Sequence, residues 1–372
     1  GQVVETNEFS SRVLLISDSR HAVPVQVNRN GVRAIAYGVG ALDYLELGNV
    51  PDTSDIEVGD LLVSSGLGGR FPEGYPRPKV QLLPTFFLPN AEGEMEAVVD
   101  STPLIRRFES EFQGRAVIPG DPAMAFLDYL LEDYADEWLT KAMFHYRWHY
   151  QADIERAGSI LPRWTLEPQA EDLAVKMGKV FAERQISRLH VVGSSPETAP
   201  IIEASYERYL AVMRAHLETT PFLLGARPGS GDFAAYGQLT QLAKFDPTPM
   251  ELTFDKAPVV FAWTDMVDDL SGMEPEAADW TARTEVPDTL RAIFSEIGTY
   301  YVPALLANAQ ALMAGADKVE TEIDGARWTQ QPFAYQGKCL QWLRAERDKL
   351  SDGDRKFVDD VLAGTGCEKL FD

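Results

Sequence analysis

The sequence predicts a multidomain chain: a short all-β segment, a small mixed α/β unit, and a large all-α body. Three observations carry this. Residues 1–78 alternate short apolar runs with turn signals, whereas beyond about residue 101 the apolar period becomes that of a helix. Composition changes at the same place: no Lys, Trp, Cys or Met precedes Lys79, and all seven Trp, all nine Met and both Cys follow it. Charge divides likewise. Residues 1–78 carry six Arg against ten acidic residues, which leaves most of the net charge of −23 to the remainder. The junction falls near Pro76-Arg77-Pro78, where two prolines favour extended backbone.

The whole-chain balance sets limits. A length of 372 residues has room for two domains at about 150 residues each. With 45% hydrophobic and 24% charged residues the chain reads as an ordinary globular protein. A charge of −23 repels phosphate backbones and anionic lipid surfaces, so nucleic-acid and polybasic membrane binding are not expected. Two cysteines build neither a disulfide framework nor a cysteine zinc site, and a reducing compartment is the default. No apolar run approaches about 18 residues and no signal peptide opens the chain, so no membrane segment and a cytoplasmic location are expected.

In the first segment, strands are expected at 12–17 (RVLLIS), 22–27 (AVPVQV), 32–37 (VRAIAY) and 60–64 (DLLVS). Asn30-Gly31, Gly59-Asp60 and the glycines of 66–69 supply the turns. That glycine run lacks a following Lys-Ser/Thr and a following helix, so it is a turn rather than a phosphate loop. His21 reads as a surface-loop histidine. The stretches 11–18 (SRVLLISD), 21–31 (HAVPVQVNRNG), 45–47 (LEL) and 60–76 (DLLVSSGLGGRFPEGYP) together closely resemble the periplasmic β-domain of the rod-shape-determining MreC family. The resemblance, assigned to residues 1–77, implies a partial β-barrel. In that family it is a structural module of a cell-wall morphogenesis scaffold, not an enzyme, and it would place the segment in the periplasm. The family's closing strands, transmembrane helix and coiled coil are not in this sequence. An open barrel leaves unpaired edges and an incomplete core, so the piece is not expected to be stable alone.

Next come 80–84 (VQLLP), 85–88 (TFFL), a turn at 90–93 (NAEG) and 95–99 (MEAVV), then Asp100-Ser101-Thr102-Pro103 leading into 104–109 (LIRRFE). Two strands form a hairpin and a helix follows. Ser101 or Thr102 would supply the N-cap oxygen, and Pro103 suits the first helical turn. This strand–turn–strand–helix unit, residues 78–112, resembles the C-terminal half of the thioredoxin-like domain of glutathione transferases. The resemblance places a cis-proline at Leu83-Pro84, where the backbone of Leu83 would pair with an extended peptide. It also implies that the helix start at Ser101 and Thr102 holds glutathione's γ-glutamyl carboxylate while Asp100 takes its α-amine. On the residues alone, Asp100 and Ser101 cap a helix, and that reading stays open.

The body, residues 113–372, is expected to be helical. Residues 125–150 read as one long helix with Leu127, Leu130, Leu131, Tyr134, Trp138, Ala142 and His145 on one face. Residues 170–185 read as a second helix, and 198–217 as a third with Ile202, Tyr206, Leu210 and Met213 aligned. Within 221–239, the pattern Leu224-Gly225-x-x-Pro228…Asp232-Phe233 resembles the glutathione transferase helical domain. That family places a Ser/Thr cap three residues before the buried aspartate. Here Gly229 stands there and Ser230 is shifted by one, which costs the cap only a few tenths of a kcal/mol. Asp232 is accordingly assigned a structural role. Pro247-Thr248-Pro249 and 257–269 continue the pattern, and 300–315, 331–343 and 352–362 resemble a C-terminal extension of a bacterial branch.

Other chemistry is sparse. Tyr146, Trp148 and His149 could line a co-substrate pocket, though plain helix packing explains them more simply. His145 and His149 stand at i,i+4, but aromatic neighbours and the lack of a His-Glu-x-x-His pattern argue against a metal, and none is expected. Glu132, Asp133, Asp136 and Glu137 read as a solvated helix face. Cys339 reads as a buried, inert thiol and Cys367 as unactivated. The transferase family activates glutathione's thiol with a Cys, Ser or Tyr after its first strand, at a helix start. Here that βαβ unit is absent and the catalytic residue is unknown. The resemblance implies glutathione conjugation or glutathione-dependent reduction, impaired in this chain, with a small electrophile and a second copy as partners. Two alternatives stand beside it: a non-enzymatic interaction module, and a cell-shape scaffold fragment.

Overall fold

Antiparallel strand pairing organises the first part of the chain and helix packing the rest. A computed structural model describes residues 2–7, 10–14, 22–27, 33–41, 45–48, 62–64, 76, 78, 85–165 and 171–372. The chain divides into two compact units: Gly1–Phe108 with Arg163–Pro168, and Glu109–Pro162 with Gln169–Asp372.

In the first unit β1 (Gln2–Asn7) pairs antiparallel with β2 (Ser10–Leu14). A four-stranded antiparallel sheet follows, ordered β5-β4-β3-β6, from β3 (Ala22–Val27), β4 (Arg33–Gly38), β5 (Leu45–Gly48) and β6 (Leu62–Ser64). Val25 lies opposite Ala34 in the ladder, and the two-residue alternation brings Ala36 to the same face. These three are buried, with Leu45 and Leu47 packed against them. The strand expected at 22–27 is found at those bounds, whereas β1 was not read from the sequence. His21 and the glycines of 66–69 lie outside the described residues.

A second hairpin joins β7 (Thr85–Pro89) to β8 (Met95–Val99), in register from Thr85 opposite Val99 to Pro89 opposite Met95. Its turn is closed by Asn90, whose Oδ1 accepts from the amides of Glu92 and Glu94. Helix α1 (Ser101–Glu111) follows directly. Leu88 and Leu104 are buried, and Phe86 meets Phe108 edge-on with ring centroids 5.4 Å apart.

The second unit is built from α2 (Pro122–Tyr134), α3 (Thr140–His149), α4 (Gln151–Thr165), α5 (Glu171–Ile186), α6 (Ala199–Leu217), α7 (Ser230–Leu242), α8 (Pro247–Lys256), α9 (Pro258–Asp268) and α10 (Asp288–Ala314). The hairpin β9 (Val319–Ile323)–β10 (Ala326–Gln330) and helices α11 (Ala334–Asp348) and α12 (Asp352–Leu362) complete it. The long helix expected at 125–150 exists as α2 and α3 joined through a π-helical turn, Ala135–Leu139. Its predicted face, from Leu127 to His145, is buried. On α6, Ile202, Tyr206, Leu210 and Met213 are all buried in the same core.

One expectation fails here. Glu132 and Asp133 are buried, not solvated. Ser230 Oγ lies 2.7 Å from Glu132 Oε2, its single proton shared between that oxygen and Asp128, and Tyr301 donates to Asp133 at 2.6 Å, so both buried carboxyls have hydrogen-bond partners. The body is largely helical as expected, with one hairpin that was not read from the sequence. Asp324-Gly325 has positive φ at both residues (49° and 75°), the geometry of a two-residue hairpin turn, and alternation buries Val319, Ile323, Trp328 and Gln330. Cys339 is buried as expected, and Cys367 is buried too, where desolvation pushes its thiol up to about 12.

The α7 N-terminus is held by carboxylates. Asp232 accepts from the amide of Gly229 at 2.9 Å through one oxygen and from the amide of Leu223 at 2.9 Å through the other. Asp128 of α2 accepts from the amides of Ser230 and Gly231 at 3.1 Å each, and from Ser230 Oγ at 2.8 Å. Asp232→Ala strands two buried N–H groups, so it should cost about 2–5 kcal/mol in urea denaturation. A loss under about 1 kcal/mol would contradict the assignment.

Burial pushes Asp128 up to about 7 and Asp232 up to about 8, against the downward pull of their N–H donors. Both folded values stand above the unfolded value of 3.8, so their contribution is complete below that value and is lost as pH rises through about 7 and 8. Burial lowers His145 and His216, an opposing contribution lost only as pH falls below about 6.5. The unfolding free energy should therefore decline between about pH 6.5 and pH 8, above which Lys141, lowered to about 8 by burial, contributes in the opposite sense. A profile rising with pH across that range would overturn this account.

Candidate functional site

At the β8–α1 corner the chain turns from strand to helix in one residue. Asp100 takes φ of +81°, in the left-handed region that non-glycine residues rarely occupy. Its Oδ1 accepts from the amide of Thr102 at 3.2 Å, so Asp100 supplies a capping oxygen to α1. Ser101 is exposed and Thr102 half-buried. The corner thus gathers a carboxylate, two hydroxyls and a helix N-terminus, donors and acceptors suited to a zwitterionic amino-acid group. Leu83 and Pro84 lie outside the described residues.

The three residues expected to line a co-substrate pocket point to different surroundings. Tyr146 is buried in the main core, 5.7 Å from the rings of both Tyr150 and Tyr206. Trp148 belongs to a separate cluster with Ala157 and Ala182, flanked by Phe144, Ile154, Leu161 and Phe181. His149 is exposed and stacks on His145 with centroids 4.6 Å apart. Successive helical positions diverge by about 100°, which sends 146, 148 and 149 to different neighbours.

What gathers instead is a polar group that α3 and α6 share. His145 is fully buried, with Nδ1 2.8 Å from Ser194 Oγ and Nε2 3.0 Å from Glu203 Oε1. Tyr150 donates its hydroxyl to the same Glu203 oxygen at 2.7 Å. One ligand atom from each of His145, His149 and Glu203 lies within 4.8 Å of the others. Burial holds His145 below the usual imidazole value, with the Glu203 hydrogen bond opposing. Sequence reading weighed His145 with His149 but missed Glu203. Glu203 stands at the flank of the buried face of α6, half-buried, and no local pattern marks it.

Comparisons with known proteins divide the chain in the same sense as its composition. Residues 1–85 match the family described as rod shape-determining protein MreC, barrel core, and residues 181–265 match the glutathione S-transferase C-terminal domain. The first match runs through Leu83 and Pro84 and so extends past residue 77. Cell shape-determining protein MreC of Haemophilus influenzae is 60% identical over 81 residues, covering 22% of this chain and 23% of that protein. Its counterpart in Escherichia coli is 60% identical over 76 residues, covering 20% and 21%. The chain therefore spans little more than a fifth of the length of these curated relatives. A solved MreC structure is 64% identical over 19% of this chain and 41% of its own, with a TM-score of 0.19. The crystal structure of MreC from Pseudomonas aeruginosa is 64% identical over 20% and 49%, also at 0.19. The chain thus combines an MreC-like β segment with a largely helical body that includes a transferase-type C-terminal domain. Among the described residues no helix is long and apolar enough to cross a membrane.

Packing, rather than pocket lining, makes a measurable difference between neighbours on α3. Trp148→Ala should cost about 3–5 kcal/mol of stability, whereas His149→Ala, at an exposed position, should stay within about 0.5 kcal/mol. Equal and small losses, read by urea denaturation, would return Trp148 to a pocket wall.

Proposed function

We propose that residues 78–372 derive from a glutathione transferase whose parent reaction joins glutathione to a small electrophile or uses it as a reductant. The observation that carries this is Asp100: a carboxylate in left-handed backbone at a strand–helix corner, seated on the first turn of α1. Such strain in a non-glycine residue collects at ligand-binding positions. The transferase-type match at 181–265 supports the same reading independently. In it, residues 78–112 are the remaining half of a thioredoxin-like domain. Asp100 takes glutathione's α-amine, Ser101 and Thr102 take the γ-glutamyl carboxylate, and the backbone of Leu83 before Pro84 pairs with the peptide.

Turnover in this chain is weak. A thiol bound here needs a donor or a helix N-terminus to favour its thiolate, and the unit that carries that group in the family is replaced by MreC-like strands. Losing one preorganised donor to a developing anion costs about 10²–10³ in rate, and losing its supporting unit costs more. The corresponding location is cytoplasmic, with a homodimer as the oligomer.

A second reading rests on the 60% identity of the first segment to cell shape-determining proteins. In it the segment is a scaffold fragment acting in the periplasm, and the helical body is an interaction module without catalysis.

Retention of the full chain on immobilised glutathione should be specific, released by free glutathione, and lost in Asp100→Asn. Asparagine keeps a capping oxygen and tolerates positive φ, so it removes the charge without removing the corner. With a generic aryl halide the rate should fall at least about 10²-fold below that of an intact transferase. Absence of retention, or retention unchanged in Asp100→Asn, would sink the half-site; full-rate turnover would refute the impairment.

A further inference from the structure

We propose that His145, His149 and Glu203 form a binding site for one first-row divalent cation, Zn(II) foremost. Two imidazoles and a carboxylate are a borderline-soft nitrogen and oxygen set, which suits this ion and leaves a fourth position for water. The separations fit. Ligand atoms about 2.0–2.1 Å from a tetrahedral ion stand about 3.3 Å from one another. His145 Nε2 and Glu203 Oε1 are already 3.0 Å apart, and all three ligand atoms lie within 4.8 Å. His149 is exposed, so its ring can turn to close the remaining distance while the buried His145 stays fixed.

The surrounding hydrogen bonds have the arrangement that a ligand set requires. Ser194 Oγ, 2.8 Å from His145 Nδ1, can take the ring proton and leave the Nε2 lone pair directed at Glu203. In that tautomer two acceptors face each other at 3.0 Å, a contact that a cation between them relieves. Tyr150 donates to Glu203 Oε1, which orients the carboxylate. Electrostatics favour the same occupant. His149 is the last residue of α3, at the negative end of the helix dipole, and the chain's net charge of −23 draws cations. No competing thiolate is available, since both cysteines are buried and Cys367 has its thiol pushed up to about 12.

The site is independent of glutathione, so its test uses metal alone. Titration of the full chain with Co(II), followed by visible d–d absorption, should saturate at one equivalent, and Zn(II) should displace the signal. His149→Ala should weaken Co(II) at least tenfold without changing the fold, as judged by circular dichroism. Glu203→Gln should weaken it comparably, while His190→Ala, an exposed histidine outside the cluster, should leave it unchanged. No saturable Co(II) spectrum, or a spectrum indifferent to His149→Ala, would overturn the proposal.

Discussion

Asp128 reaches from the middle of α2 into the first turn of α7 and accepts from two amides and a hydroxyl there. A helix start leaves four N–H groups without intrahelical partners, and inside a core water cannot supply acceptors. Asp232 satisfies two more donors from within and just before the same helix. These two carboxylates therefore permit α7 to begin at full burial, and α7 in turn gives α2 and the π-helical turn a surface to pack on. The approach is tight: a Cβ at Gly229 would stand 2.7 Å from Asp128 Oδ1, and one at Gly231 would stand 2.9 Å from Leu131 Cβ. The departure from a Ser/Thr cap at position 229 thus has a structural cause. The side chain that would cap the helix has been displaced by a carboxylate arriving from a neighbouring one.

The same economy of buried charge recurs through the helical unit. Arg147 is buried and donates to both oxygens of Asp246, at 2.8 to 3.1 Å, and to Gln241 at 2.7 Å. Lys141 is buried against Trp328, with Val192 and Gln330 as acceptors, and desolvation lowers it to about 8. Buried pairs of this kind contribute little net stability relative to apolar packing, but removing one partner leaves the other uncompensated. They tie α3 to α7, to the start of α8 and to β10.

How much of this was legible follows from what each signal encodes. Apolar period is local, so the buried faces of α2, α3 and α6 could be read residue by residue from Leu127 to Met213. The roles of Glu132 and Asp133 could not. Their burial depends on Ser230 and Tyr301, about a hundred and more positions away, and acidic residues beside one another otherwise signal solvent. The Asp324-Gly325 hairpin carried a local signal that a helical expectation for the whole body overrode. The reverse happened at Asp100, where position in the chain was clear but an aspartate only permits positive φ and does not announce it. Glu203 was missed for the same reason as Asp128. Each acts on an element remote in sequence, and periodicity marks which way a residue faces without naming what it meets.

The two units also differ in how much structure supports their chemistry. In the four-stranded sheet the buried apolar side chains among the described residues are Val25, Ala34 and Ala36, and the β7–β8 hairpin with α1 adds Leu88 and Leu104. A two-stranded hairpin with one short helix is marginal as an independent fold. The helical unit instead buries one continuous cluster running from Ala123 to Leu370. Local opening free energies scale with such packing, so the Asp100 corner should open far more readily than the α3–α6 contact. Positive φ at Asp100 must be repaid by its surroundings. A ligand that orders this corner contributes part of its binding energy to folding it, which weakens the apparent affinity. The histidine–glutamate cluster stands on firmer ground: its buried member sits in the main helical unit with Ser194 Oγ 2.8 Å from Nδ1. A ligand is therefore better supported by the packing around α3 and α6 than by the β7–β8 hairpin and α1.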